Sequence, residues 1–223
     1  MEVSSEKHFN EVAGDYDNWK QKNWYYYQNL KNLFSSIIPK GSRVLEIGCG
    51  TGHVLGSLDI SYGHGIDISE EMIEIAKKNY GDRSNLKFET QDILKSSDTL
   101  NYDIVIIPDT IGHIENLEKF IGHISSLLKP GTPVVISTAN SLWRPVLEIA
   151  EKLKMKSPEG PHWWLSKRKN EEIFSKCGFK IVKNGSILLI PKKVIGADWI
   201  NQNFNKNSLL SKLGLNIWWV LEK

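Results

Sequence analysis

Apolar residues recur at helical spacing within residues 8–38, at Trp24, Tyr27, Leu30, Leu33, Phe34, Ile37 and Ile38. Pro39-Lys40-Gly41-Ser42 closes that run. Strand and helix patterns then alternate. Arg43 to Ile47 is a short β-rich run, and a short helix is expected over 51–58. Gly63 to Asp67 reads as a second strand. Ser69 stands where a helix cap belongs, with Glu70 and Glu71 at the positive helix end and Met72, Ile73, Ile75 and Ala76 as its buried stripe. Leu86 to Glu89 half-alternates, as an edge strand does. Asp103 to Ile107 is almost continuously apolar, which predicts a strand covered on both faces. A helix over 116–128 stops at Lys129-Pro130-Gly131, and Pro133 to Ser137 is a fifth strand.

Tight strand–helix alternation predicts an α/β fold, a parallel sheet with helices on both sides. Residues 139–170 break the rhythm. They hold an amphipathic stretch, Leu142 to Leu153, and then Ser157-Pro158-Glu159-Gly160-Pro161-His162-Trp163-Trp164. We read them as an insertion over the sheet rather than a second domain. A helix near 168–177 and a strand at 179–183 follow, and Asn216 to Leu221 reads as a last strand. Residues 191–214, rich in Asn and Lys, give no clear pattern.

Composition narrows the class. The chain has 223 residues, 40% hydrophobic and 24% charged, so one domain with a full core is expected and disorder is not. A formal charge of +2 gives no global field toward nucleic acid, and no apolar run is long enough for a membrane span. The start carries no basic-then-apolar signal, and two cysteines make neither a disulfide framework nor a zinc pattern, so the cytoplasm is the expected location. Eight Trp is generous for this length; we expect more than half in the core and the rest on a pocket.

The sharpest signal is Val44-Leu45-Glu46-Ile47-Gly48-Cys49-Gly50-Thr51-Gly52, a strand ending in a glycine-rich turn that opens toward a helix. Such a turn admits a ligand close to the backbone. The spacing is Gly-x-Gly-x-Gly rather than Gly-x-Gly-x-x-Gly, and His53 stands where a dinucleotide loop has its third glycine. Glu46 lies two residues before the first glycine, and Asp67 ends the next strand 19 residues after Gly48. That is where an α/β nucleotide fold places the carboxylate for two ribose hydroxyls.

At these residues the chain resembles the class I S-adenosylmethionine-dependent methyltransferases. It looks most like their small-molecule branch, whose Phe-x-x-x-Ala-x-x-Tyr-Asp opening is matched by Phe9, Ala13, Tyr16 and Asp17. The resemblance implies a doubly wound, Rossmann-like, mostly parallel seven-stranded sheet with an N-terminal helical cap. It implies one methyltransferase domain over 1–223: cap 1–40, cofactor-binding core 41–138, substrate-side insertion 139–170 and the rest of the sheet 171–223. The implied cofactor is S-adenosyl-L-methionine, released as S-adenosyl-L-homocysteine. Glu46, Gly48, Cys49, Gly50 and Gly52 would surround its methionine part, Asp67 its ribose, and Ile68, Met72, Asp92 and Ile93 its adenine. Pro108 and Asp109 would lie beneath the sulfonium, and Tyr16 would close over the top. Pro108 stands where the family carries a small residue.

Each of these residues also has a plain structural role open to it. Asp67 suits a helix cap, Asp92 a turn, Met72 and Tyr16 packing, and His113 a structural hydrogen bond. Candidate bases are His113, Asp109 and His162; no spacing selects among them, and no His pattern offers a metal site. The expected acceptor is the hydroxyl or amine of a small molecule. A macromolecular methyl acceptor and a non-catalytic cofactor-binding module are the alternatives. The acceptor pocket is expected between Trp19, Trp24, Tyr25, Tyr26 and Tyr27 and the 139–170 segment. The basic clusters at 152–156, 167–169 and 192–193 suit a membrane surface, an anionic substrate or a solvated face. They lack interleaved aromatics, so no nucleic acid is expected as a partner.

Overall fold

The computed structural model describes residues 4–204, 207 and 209–223. Met1, Glu2, Val3, Asn205, Lys206 and Ser208 lie outside it, and so does that part of the 191–214 segment.

The long N-terminal helix is two. α1 (Ser5–Lys22) starts at Ser4, whose hydroxyl accepts from Lys7 N–H, and it buries only His8, Ala13 and Lys20. Asn23 breaks the helical conformation, and α2 (Trp24–Ile37) buries Tyr25, Leu30, Leu33 and Phe34. The break has a packing cause. α2 lies on the sheet with its apolar stripe, whereas the polar α1 turns away to cover the glycine loop and α3 (Glu70–Tyr80).

The other elements are β1 (Arg43–Ile47), β2 (Tyr62–Asp67), β3 (Leu86–Thr90), β4 (Ile104–Ile107), α4 (Leu117–Leu127), β5 (Pro133–Ala139), α5 (Arg144–Lys152), α6 (Lys167–Lys176), β6 (Lys180–Ile187), α7 (Ala197–Asn203) and β7 (Asn216–Glu222). Seven strands form one sheet in the order β3-β2-β1-β4-β5-β7-β6. The first five are parallel, and β7 runs antiparallel between β5 and β6. β3 is an edge strand, as its half-alternation predicts.

β4 shows why its sequence is apolar throughout. Ile104 and Ile106 face the layer of α2 and α3, and Val105 and Ile107 face that of α4 and α6. The chain leaves β1 toward β2 and β3, then returns beside β1 to build β4 and β5. A crevice therefore opens at the strand C-termini where the winding reverses, the place where open α/β sheets bind ligands.

Two elements differ from expectation. The helix expected over 51–58 is a turn followed by one 3-10 turn, Leu55–Ser57. The segment is pressed against its neighbours: a Cβ on Gly52 would meet Phe88 at 2.9 Å, and one on Gly56 would meet Tyr80 at 2.4 Å. The strand near 179–183 runs on to Ile187 because β7 pairs with it over that length. Of the eight Trp, only Trp218 and Trp219 are buried; Trp24 and Trp199 are exposed.

Candidate functional site

A cavity of about 660 Å³ fills the crevice. Gly48, Gly50, Asp67, Ile68, Met72, Asp92, Ile93, Pro108 and Tyr16 all line it. The loop is shaped to leave this space open. Gly48 has φ +74°, and a Cβ there would sit 2.3 Å from Thr110 Oγ1, so the loop approaches the end of β4 as only glycine allows. Gly50 has φ +51°, and a Cβ there would meet only Tyr16, at 3.7 Å. The Tyr16 ring therefore closes directly over the loop at Gly50.

Asp67 accepts from Gly50 N–H at 2.8 Å and from Ser69 N–H at 2.9 Å. Its carboxylate ties the loop to the start of α3 and still lies on the cavity wall. Burial raises its pKa, and the backbone N–H groups hold that rise in check. Asp92 likewise does two things: it accepts from Leu94 N–H at 3.0 Å and faces the cavity.

Three residues expected around the methionine part do not line the cavity. Glu46 points under the loop, where it accepts from Leu55 N–H at 2.9 Å, and burial pushes its pKa up to about 8. Cys49 packs against Gly65 of β2, and burial raises its thiol pKa well above the ordinary value. Gly52 backs onto Phe88 and Tyr80. These three shape the loop from behind.

α1 is latched over the loop. Asp17 accepts from Thr51 Oγ1 (2.6 Å), from Asn79 Nδ2 (2.9 Å) and from His53 (3.2 Å). Asn10 Oδ1 accepts from Ser69 Oγ at 2.7 Å. Behind them Lys20 is buried, its Nζ donating to Thr51 Oγ1 and lying 4.6 Å from the Tyr16 ring centre. Burial lowers its pKa to about 8. Sequence reasoning missed Lys20, because a lysine on a polar helix looks solvated.

A second cavity of about 280 Å³ adjoins the first; Phe9, Tyr16, Asp109 and His113 line both. Its walls are Tyr26, Tyr27, Trp143, Leu147, Met155 and His162, with Glu159 among them. The 139–170 segment therefore helps build it, as expected. Trp19, Trp24 and Tyr25 do not line it. Tyr25 is turned away to Asp198.

The candidate bases differ in environment. Asp109, at φ +49°, accepts from Tyr26 Oη (2.5 Å), Ser137 Oγ (2.8 Å) and Asn216 Nδ2 (2.6 Å). Burial raises its pKa against these donors. Ser137 and Asn216 were not singled out from the sequence; a Ser and an Asn inside strands carry no signal. His113 Nδ1 lies 2.9 Å from Pro161 O, which sets the N–H on Nδ1 and leaves Nε2 as an acceptor. Burial lowers its pKa to about 4. His162 stacks on Trp164 at 3.9 Å, its Nδ1 is buried without a hydrogen-bond partner among the described residues, and burial lowers its pKa to about 3.

These two imidazoles make stability pH-dependent. In the unfolded chain each takes up a proton near pH ~6.5, whereas the folded chain resists protonation until well below that. Acidification from pH ~6.5 to ~4 therefore favours unfolding through them. The buried carboxyls of Glu46, Asp67, Asp109 and Glu159 act in the opposite sense, because their folded pKa values are raised. The test is a difference: thermal midpoints of the parent and of H113Q/H162Q across that range. The parent should lose stability more steeply on acidification, and parallel curves would refute the assignment.

Known proteins share this fold. A family described as a methyltransferase domain matches residues 18–184. Malonyl-[acyl-carrier protein] O-methyltransferase 1 of Ilyobacter polytropus is 30% identical over 157 residues, which are 69% of this chain and 58% of that protein. The ubiquinone biosynthesis O-methyltransferase of Coxiella burnetii is 30% identical over 141 residues, 60% of each. The chain thus spans less than two thirds of the length of these relatives. A Thermotoga maritima structure described as a possible histamine N-methyltransferase superposes with TM-score 0.72 at 19% identity, covering 96% of this chain and 97% of that one. The magnesium protoporphyrin IX methyltransferase of Synechocystis, solved with S-adenosylhomocysteine, gives TM-score 0.61 at 19% identity over 100% and 89%. The glycine loop, the carboxylate ending β2 and the extent of the family match lead to one conclusion: the chain belongs to the class I S-adenosylmethionine-dependent methyltransferases.

Proposed function

We propose that the chain transfers a methyl group from S-adenosylmethionine to a hydroxyl or amine of a small molecule by in-line displacement. One observation carries this reading: a cavity built on the glycine loop and Asp67 adjoins an aromatic one, and four residues line both. Asp67 would hold the ribose, Met72 and Ile93 the adenine, and the cavity wall at Gly48, Gly50 and Tyr16 the methionine part. When bound there, the cofactor supplies a methyl group already activated on sulfur, so the protein's main task is alignment.

Phe9, Tyr16, Asp109 and His113 mark the junction where an accepting atom would lie. His113 Nε2 is a neutral acceptor above pH ~4. It would take a hydrogen bond from the acceptor's O–H or N–H and so turn a lone pair toward the methyl group. Asp109 would fix Tyr26 at the same junction. The aromatic walls suit a compact acceptor better than a macromolecule, which needs an open groove. The relatives' names, which point to malonyl-[acyl-carrier protein], ubiquinone biosynthesis and magnesium protoporphyrin IX, are too diverse to select one acceptor. The same reading treats 1–223 as one domain, with the boundaries expected from sequence.

The test is turnover. Purified protein with labelled S-adenosylmethionine and a panel of phenols, catechols and amines should form S-adenosylhomocysteine with at least one member. Tight cofactor binding with no turnover across the panel, but with methylation of added protein or RNA, would overturn the small-molecule reading.

A further inference from the structure

α5 buries none of its residues. Leu142, Val146, Ile149, Leu153 and Met155, on it and at its ends, are exposed. Val194, Ile195 and Trp199 are exposed on the segment after β6, with Ile195 entirely in solvent and Trp199 71% exposed. The two groups share one side of the molecule. Trp143, Leu147 and Ile190 pack against one buried cluster that includes Ala197, and Asn23 bonds both to Met155 O (3.3 Å) and to Lys192 Nζ (2.7 Å). Val146, Met155 and Lys192 also line the aromatic cavity, so both segments border it.

Charge on the same face is one-sided. Its acids are engaged locally: Glu148 by Arg144, Glu151 and Glu159 by Lys156, and Asp198 by Lys193 and Tyr25. Lys22 and Lys192 donate to neutral groups, and Lys152 and Lys154 have no acidic partner among the described residues. Large apolar tips with Trp and interspersed lysines are the composition of a surface that lies in a lipid headgroup layer. Among the described residues no helix is long and apolar enough to cross a membrane, so contact would be with the surface. The tips stand on two separate segments that both border the cavity. A soft apolar phase fits both at once, whereas a rigid partner would have to match each.

We propose that this face docks on a bilayer containing anionic lipid, so that the aromatic cavity opens toward the membrane and admits a lipid-soluble acceptor. The acceptor clause rests on the proposed function; the docking does not. The experiment is co-sedimentation of the full chain with vesicles of phosphatidylcholine alone and of phosphatidylcholine mixed with phosphatidylglycerol. Binding is expected on the mixed vesicles and should weaken as salt is added. I149E/I195E/W199E should bind them at least ~10-fold more weakly, and K152E/K154E should lose most of the preference for anionic lipid. All five positions are exposed or in the solvated basic cluster, so S-adenosylhomocysteine affinity and the thermal midpoint should stay as in the parent.

Absence of the parent from both vesicle types, or equal partition of parent and triple variant, would overturn the docking. So would a parent that is dimeric in solution and becomes monomeric on I149E/I195E/W199E, because the face would then be covered by a second copy. Loss of S-adenosylhomocysteine binding in the parent would instead strike the proposed function and leave the vesicle result standing.

Discussion

Replacing Asp67 by Ala is expected to weaken S-adenosylhomocysteine binding by ~100-fold or more, measured by titration calorimetry. The side chain accepts from Gly50 and Ser69 N–H groups, so it sets the loop and the start of α3 before any ligand arrives. It also lines the cavity at the end of β2. Two hydroxyl donors on a carboxylate contribute about 1.5–3 kcal/mol each, which gives a lower bound of ~100-fold in affinity. Loss of the Gly50 and Ser69 contacts would add to it. Asp67→Asn separates the two effects. Its amide oxygen can still accept from one backbone N–H, but its amino group meets donors, so an intermediate loss of ~10-fold is expected. If Asp67→Ala kept the parent's affinity within about threefold and the same circular dichroism, the ribose assignment would be wrong.

How far this site is legible in sequence depends on whether a residue's role is local. Gly48, Gly50 and Asp67 are readable because strand, turn and helix follow one another within one short segment, and the glycines declare their own backbone constraint. The buried β4 and the edge strand β3 are readable for a similar reason: their hydropathy patterns record the layers on either side. Asn23 breaks the N-terminal helix because α1 and α2 pack on different things, and spacing within one long periodic run does not show that. The glycine loop hid its other side. Glu46, Cys49 and Gly52 lie within the motif, yet β2, β3 and the Leu55 N–H claim them from behind. Ser137 and Asn216 act through contacts 28 and 107 residues away in sequence, which no local pattern encodes. The exposed apolar side of α5 was visible as an amphipathic stretch, but only the fold puts it beside a cavity.

The second large effect is expected at Asp109, where the two cavities meet. Its carboxylate is the common acceptor for Tyr26, Ser137 and Asn216, groups that belong to α2, β5 and β7. Asn216 also donates to Tyr26 Oη at 2.9 Å, so the network closes on itself. Its backbone, at φ +49°, occupies a region that Asn and Asp tolerate and Ala does not. Asp109→Ala would orphan three buried donors and add backbone strain. A loss of about 3 kcal/mol or more is expected, read as a fall in thermal midpoint of roughly 6–12 °C for a chain of this size. Asp109→Asn keeps the conformation and most of the bonds, since Tyr26 can turn its hydroxyl to accept from the new amide. What changes is the carboxylate itself and the direction of its bond to Tyr26. This variant should fold with a midpoint near the parent's and bind S-adenosylhomocysteine with little change. Its kcat should nonetheless fall by ~100-fold, because the field at the junction and the setting of Tyr26 both change. Rate and stability thus separate in one variant and fall together in the other. An Asp109→Ala protein as stable as the parent would mean that the network does not hold the three elements together. An Asp109→Asn protein with unchanged kcat would mean that the charge at the junction plays no part in the transfer.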